Sequence, residues 1–215
     1  MFLKILNPER RKLLSALKFT SGLDLYLAGE TALALYLGHR TSIDFDFYRP
    51  KEFKKEFLTE AFRENLVSEQ WEIFRDEDNT FELMIENIHL SCFFYRYPLL
   101  RPFRFVEGVQ LASLEDIAAM KIVAIGQRGK HRDFIDIYYL IRKMGLSKLL
   151  RLTQQKYKEY NPYIYLRGLL YFTDAEKDKA KTRIEIFDKS LTWPVVKKYI
   201  ITEVIKYQKS WLKRK

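Results

Sequence analysis

The run Ile43-Asp44-Phe45-Asp46-Phe47-Tyr48 alternates apolar and acidic side chains with a period of two, and no other stretch of the 215 residues narrows the fold as far. The pattern is that of a half-buried strand. On it Ser42, Asp44 and Asp46 point to one face, and Ile43, Phe45 and Phe47 to the other. Carboxylates about 7 Å apart on one face repel each other unless positive charge lies between them. A solvated acidic edge is one answer to that constraint. Divalent cations chelating a triphosphate are another, because two metal ions roughly 3.5–4 Å apart stabilise the attacking and leaving oxygens of an in-line displacement. The residues just upstream favour the second. Residues 23–28 read as a strand stopping at Gly29, and residues 30–37 as a short apolar helix closed by Gly38. Such a turn and helix can present backbone N–H groups to phosphate.

Around this segment the signals are mixed at first and helical later. Asn7-Pro8-Glu9 opens a helix to about residue 18, with Asn7 as its cap, and Pro50 opens a charged helix over 51–64. Strands are expected at 68–75, 80–86 and 89–95, the last two joined by a tight turn at Glu86-Asn87, with a short edge hairpin at 103–106 and 109–111. Further on, helices are expected over 113–127, 132–143, 147–160, 163–172 and 194–213, the first started by a capping-box-like Ser113-Leu114-Glu115-Asp116. Closely spaced strands with hairpin connections imply a mixed sheet, not a doubly wound one. The expected class is α+β in two domains. Residues 1–112 form a mixed sheet with flanking helices, and residues 113–215 form a helical half.

Composition removes several classes. Cys92 is the one cysteine, so no intrachain disulfide forms and a reducing compartment is expected. No apolar run approaches the roughly 18 residues of a membrane span, and the first residues are charged too early for a signal peptide. A cytoplasmic protein with no membrane partner is the expectation. The chain has no GxGxxG, no GxxxxGK[ST] and no GxSxG. His39, His89, His131 and Cys92 are scattered, so any metal is expected to be a hard cation on carboxylates. The net charge of +10 is uneven: residues 147–215 hold 17 Lys/Arg against 7 Asp/Glu, while residues 1–146 hold 21 of each. Such asymmetry fits a polyanion partner or a helical tail with solvated Lys-rich faces. The same third contains Tyr157, Tyr160, Tyr163, Tyr165, Phe172, Trp193, Tyr199, Tyr207 and Trp211, of which Tyr163 and Trp193 are expected in the helix core.

Two ordered blocks resemble a known family. Residues 27–48, with a small-residue turn, a helix ending in Gly38-His39-Arg40, and then Ser42-x-Asp44-x-Asp46, resemble the first motif of DNA-polymerase-β-type nucleotidyltransferases. More narrowly, they resemble the AbiEii/AbiGii toxin family. The second block, Leu114 to Lys121 followed by Lys130-His131-Arg132-Asp133-Phe134-Ile135-Asp136, is similar to the family's later motifs. The resemblance covers roughly residues 20–145 and implies a nucleotidyltransferase-type sheet in the first domain, with the helical half completing the active site. It implies Asp44 and Asp46 as Mg2+ ligands and catalytic residues, with Gly29, Thr31, Arg40 and Ser42 at the nucleotide. Lys121 would neutralise the triphosphate. Asp133 or Asp136 would orient Lys121 or assist the attacking hydroxyl, although both positions also suit simple helix capping.

Two departures stand out. Glu30 occupies a position where the family often has Gly or Ser, and a carboxylate there repels phosphate unless it turns away, caps the helix or meets a metal or an Arg. The strand position where polymerase-β-type enzymes often place a third carboxylate falls in register on Ser91, with Glu82 and Glu86 nearby. The implied function is transfer of NMP from an NTP to an acceptor hydroxyl, as the toxin of a toxin–antitoxin or phage-defence pair. An RNA acceptor, with a tRNA end among the candidates, would bind the basic C-terminal half, and a cognate antitoxin is a further expected partner. Two alternatives stay open: a catalytically impaired RNA- or partner-binding module, and modification of a small-molecule or protein hydroxyl.

Overall fold

The acidic alternation forms β2 (Phe45–Arg49), in which Phe45 and Phe47 are fully buried and Asp46 is half-buried. The computed structural model describes residues 1–67, 70–159, 161–178 and 184–212. The strand begins later than its pattern. Ser42, Ile43 and Asp44 precede it, and the carbonyls of Ile43 and Asp44 bond outside the ladder. Arg10 Nε donates to the Ile43 carbonyl at 2.9 Å, and Thr31 Oγ1 donates to the Asp44 carbonyl. Ile43, expected on the core face, is therefore half-exposed.

The chain divides into two compact units, Met1–Ser113 and Leu114–Lys215. The first is built on a seven-stranded mixed sheet. Its strands are β1 (Tyr26–Ala28), β2, β3 (Trp71–Glu77), β4 (Thr80–Ile85), β5 (Ile88–Phe94), β6 (Arg104–Val106) and β7 (Val109–Leu111), in the order β3-β4-β5-β2-β1-β7-β6. β2 runs antiparallel to β1 and parallel to β5, and β1 runs parallel to β7. Registered residues Leu111, Leu27, Phe47, Cys92 and Phe81 make one buried row across the sheet. α3 (Lys55–Asn65) covers this face through Phe62, whose ring centroid lies 5.4 Å from that of Phe81. The opposite face has a different row: Ala28, Asp46, Ser91, Glu82 and Arg75. α1 (Pro8–Ala16), capped by Asn7 as expected, and α2 (Gly29–Leu37) complete the unit with two 3-10 turns, Leu3–Ile5 and Leu17–Leu23. The second turn occupies the start of the strand expected from residue 23, so β1 keeps three residues.

The second unit is helical among its described residues apart from an isolated bridge: α4 (Leu114–Gln127), α5 (His131–Met144), α6 (Leu146–Lys156), α7 (Pro162–Leu169), α8 (Thr173–Asp178) and α9 (Trp193–Leu212). α4 packs against α5, α6 and α7. Its approach to α7 needs two glycines, since a Cβ on Gly168 would stand 2.9 Å from the Gly126 Cα. Tyr163, expected in the core, is 67% exposed, because Tyr165 and Leu169 supply the buried face of this short helix. The expected strand start at Ser68 and the helix ends at Tyr160 and Lys213 lie outside the described residues. No helix of the described residues is long and apolar enough to cross a membrane.

Between α4 and α6 lies a buried ion pair that the sequence did not announce. Lys156 Nζ donates to Asp116 Oδ1 at 2.8 Å, with both side chains fully buried. Burial pushes the Lys156 pKa down, against the hydrogen bond and charge of Asp116. Removing one partner leaves a buried charge, which costs about 3–5 kcal/mol, whereas an apolar replacement of both can be neutral. Chemical denaturation of Asp116→Ala should show a loss of about that size. The Asp116→Leu, Lys156→Met double variant should recover most of it.

Candidate active site

The site is organised by the first turn of α2. Gly29 opens that helix at φ +65°, and its missing side chain leaves room for Asp46: a Cβ on Gly29 would come within 2.5 Å of Asp46 Oδ2. Two residues on, Thr31 is buried and its hydroxyl reaches both sides of the segment before β2. It donates to the Asp44 carbonyl and lies 2.7 Å from Ser42 Oγ. The turn thus fixes the backbone that carries Asp44 while granting space to the carboxylate of Asp46. Both aspartates are half-buried, whereas Ser42 is almost fully enclosed. Gly29, Thr31, Ser42, Asp44 and Asp46 therefore meet in one place.

Arg40, expected at the nucleotide, is engaged inside the fold. Its side chain is fully buried, with NH2 on Glu30 Oε2 at 3.2 Å and NH1 donating to the Thr41 carbonyl at 3.0 Å. The same pair accounts for Glu30: its carboxylate turns to Arg40, so its charge is met inside the fold. His39 is buried as well, which suits a packing residue.

Ser91 sits beside Asp46 in the parallel β2–β5 register, at the position of a possible third carboxylate. The next residue in that row, Glu82, lies 3.3 Å from His89 Nε2 and 3.9 Å from Arg75. Among the described residues no cluster of three His, Cys, Asp or Glu side chains could hold a metal by protein groups alone. Two carboxylates are nevertheless the donor set that Mg2+ uses when substrate phosphates and waters complete its shell. Cys92 is no nucleophile: burial, and after it the Asp46 charge, push its thiol well above the usual range.

Lys121, Asp133 and Asp136 form a cluster of their own in the helical unit. Lys121 Nζ lies 2.9 Å from Asp133 Oδ1 and 2.9 Å from Asp136 Oδ2, and both carboxylates are fully buried. Asp133 Oδ2 also accepts the Lys130 backbone N–H at 3.1 Å, which caps α5. Burial opposes ionisation of Asp133, but the charges of Lys121 and Arg128 and the Lys121 hydrogen bond outweigh it, with Asp136 opposing. Its carboxyl is held below the usual aspartate range. A carboxylate held down in this way is a weak general base. Of the Asp133 oxygens, Oδ1 is the one that meets Lys121. Asp116, read from sequence as a capping residue, and Lys156 were missed as a pair. The available signal was position, since Lys156 continues the apolar face of Leu149, Leu152 and Thr153 at helical spacing.

Gly29→Ala should abolish function at this site, because it strains a left-handed position by about 1–2 kcal/mol and drives a methyl into Asp46. Gly22→Ala, with nothing within 4 Å of its Cβ, is the tolerated control. The cluster around Lys121 makes a second expectation. A carboxylate with a lowered folded-state pKa stabilises above its unfolded value and loses that contribution as pH falls through the folded one. Melting temperature should drop on acidification below the usual aspartate range, and Asp133→Asn should flatten that dependence.

Comparison with known proteins bears on the fold and the family. A protein of Aquifex aeolicus (strain VF5), uncharacterized, is 39% identical over 160 residues, covering 72% of this chain and 77% of that protein. The crystal structure of JHP933 from Helicobacter pylori superposes with a TM-score of 0.64 at 19% identity, covering 98% of this chain and 94% of that one. MenT4, a nucleotidyltransferase toxin of Mycobacterium tuberculosis H37Rv, gives a TM-score of 0.61 at 15% identity over 90% of this chain and 80% of its own. At those identities the structures speak for the fold. The family model of the AbiEii nucleotidyl transferase toxin, of type IV toxin–antitoxin systems, matches residues 12–191, and the chain belongs to that family.

Proposed function

We propose that this nucleotidyltransferase moves a nucleoside monophosphate from an NTP to a hydroxyl of an RNA acceptor, a tRNA end among the candidates, and that it acts as the toxin of a pair with a cognate antitoxin. The observation that carries the reading is the interlock of Gly29 and Thr31 with Ser42, Asp44 and Asp46. It holds two carboxylates beside a helix N-terminus, where backbone N–H groups and the helix dipole favour phosphate. Asp44 and Asp46 would hold Mg2+, which when bound neutralises the triphosphate and the charge that develops on the leaving pyrophosphate. The acceptor oxygen bonds to the α-phosphorus as the bond to the bridging oxygen breaks. Pyrophosphate leaves and the hydroxyl proton passes to a base.

Ser42 and the first N–H groups of α2 orient the phosphates in this reading, and Thr31 holds Ser42 for that task. Lys121 is the proposed triphosphate-neutralising cation, and Asp133 and Asp136 its positioning residues. The Glu30–Arg40 pair supports an active enzyme over an impaired scaffold, since the one carboxylate that would repel phosphate already has its counter-charge. The excess of basic residues in 147–215 supports a polyanionic acceptor. It is partly compensated on the surface, because Lys197 and Lys206 lie within 2.7 Å and 2.6 Å of Glu176 and Glu203.

The test is incubation of the protein with each labelled NTP, Mg2+ and total RNA. The expected result is label on an RNA species and release of pyrophosphate. Asp44→Asn and Asp46→Asn should each lower transfer by about a hundredfold or more, the loss expected for several kcal/mol of charge stabilisation, with thermal stability unchanged or raised. Label on protein or on small acceptors alone would replace RNA with another hydroxyl. A double Asn variant that still transfers would remove both aspartates from the chemistry.

A further inference from the structure

The sheet face that carries Asp46 continues into a second row that none of this chemistry uses. One residue pair along from Ala28, Asp46 and Ser91, the same registers align Tyr26, Tyr48 and Phe93. At the β6 edge Phe105 pairs with Gln110, which the β1–β7 register sets beside Tyr26. The rings touch in series. Tyr48 lies 6.1 Å from Tyr26, 6.0 Å from Phe93 and 5.2 Å from Tyr95 between centroids, and Tyr95 lies 5.3 Å from Tyr97. Phe103 closes onto Tyr26 at 5.2 Å. Tyr26 is the buried floor; Tyr48, Phe93, Tyr95, Tyr97 and Phe103 are half-buried, and Phe105 is 63% exposed.

The segment that follows β5 is rich in arginine. Residues 93–105 contain six aromatic residues, three arginines and no Asp or Glu. Arg96 and Arg101 stand exposed in the connection from β5 to β6, and the Arg96 guanidinium lies over the Tyr97 ring at 5.3 Å from its centroid. Aromatic rings interleaved with arginine are how proteins stack unpaired bases while following their phosphates.

We propose that this aromatic and arginine row is the seat of the acceptor's unpaired end: single-stranded RNA stacks on it and brings its hydroxyl to the face that holds Asp46. The inference rests on the RNA reading above. Asp46 and Tyr48 are two residues apart on one strand, about 7 Å, close to the spacing of successive nucleotides. The row crosses five strands, roughly 19 Å at the usual interstrand distance, which is wider than the single base of an NTP. More than one arginine along it calls for more than one phosphate. Duplex RNA, whose bases are stacked on each other, has nothing to offer the rings.

The experiment uses the full chain with a fluorescent single-stranded RNA oligonucleotide and the same sequence in a duplex. Wild type should bind the single strand more tightly. Phe105→Ser should weaken that binding by about five- to tenfold, the loss of one stacking partner. Arg96→Gln with Arg101→Gln should lower the log–log salt slope by about 1.4. Affinity for Mg-NTP without RNA should not change. Photocrosslinks from the RNA end should fall within residues 93–105. Wild-type binding with unaffected variants, or crosslinks confined to residues 147–215, would overturn the proposal and leave the RNA reading standing. Weakened Mg-NTP binding instead of RNA binding would assign the row to the nucleotide and overturn it too. No binding or labelling of RNA by the wild type would overturn the RNA reading, and the proposal with it.

Discussion

The close approach of Asp46 to the Cα of Gly29 is the constraint on which the candidate site depends. A carboxylate on the middle of a packed sheet needs room, and only a residue without a side chain, at positive φ, leaves it there. The same residue starts α2, so the next turn of chain arrives with Thr31 beside Ser42 and Asp44. One local backbone choice therefore positions both aspartates and the N–H groups that would meet phosphate. Glu30 lies between Gly29 and Thr31 and would spoil that potential if it faced inward. Arg40, ten residues on and fully buried, holds it instead.

The helical unit solves a different problem, keeping cations where water is scarce. Lys121 and Lys156 are both nearly without exposed surface, and each is matched by aspartate on a neighbouring helix. Such pairs contribute little net stability against apolar replacements, but losing one member is expensive. Both pairs tie α4 to a neighbouring helix, Lys121 to α5 and Asp116 to α6. Lys121 meets both Asp133 and Asp136, and Arg128 lies 3.8 Å from Asp133. Against burial, the charges of Lys121 and Arg128 hold the Asp133 carboxyl below the usual aspartate range, which makes it the reporter of acidification.

Local pattern was legible in the sequence and long-range pairing was not. Period-two alternation correctly separated Phe45 and Phe47 from Asp46, and Asn7-Pro8 marked the start of α1. The mixed α+β class followed from hairpin spacing. The strand order did not, because placing β1 between β2 and β7 depends on partners about twenty and eighty residues away that leave no periodic trace. Asp44 fell outside its strand for a similar reason: Thr31 and Arg10 claim the carbonyls there. Tyr163 was expected in the core and is exposed, while Lys156, a cation with no such expectation, is buried. In both cases helical phase, not residue type, decided burial. The pairing of Arg40 with Glu30 was not legible either, because a charged side chain near a phosphate motif has two uses, and sequence does not show which anion is nearer.

The central claim is that Asp44 and Asp46, held by the first turn of α2, bind a nucleotide through a divalent metal. Calorimetric titration of the wild-type protein with a non-hydrolysable NTP analogue, with and without Mg2+, tests it most directly. The account predicts saturable binding that requires the metal and disappears in the Asp44→Asn, Asp46→Asn double variant. Equal affinity without divalent metal, or undiminished binding by the double variant, would contradict it.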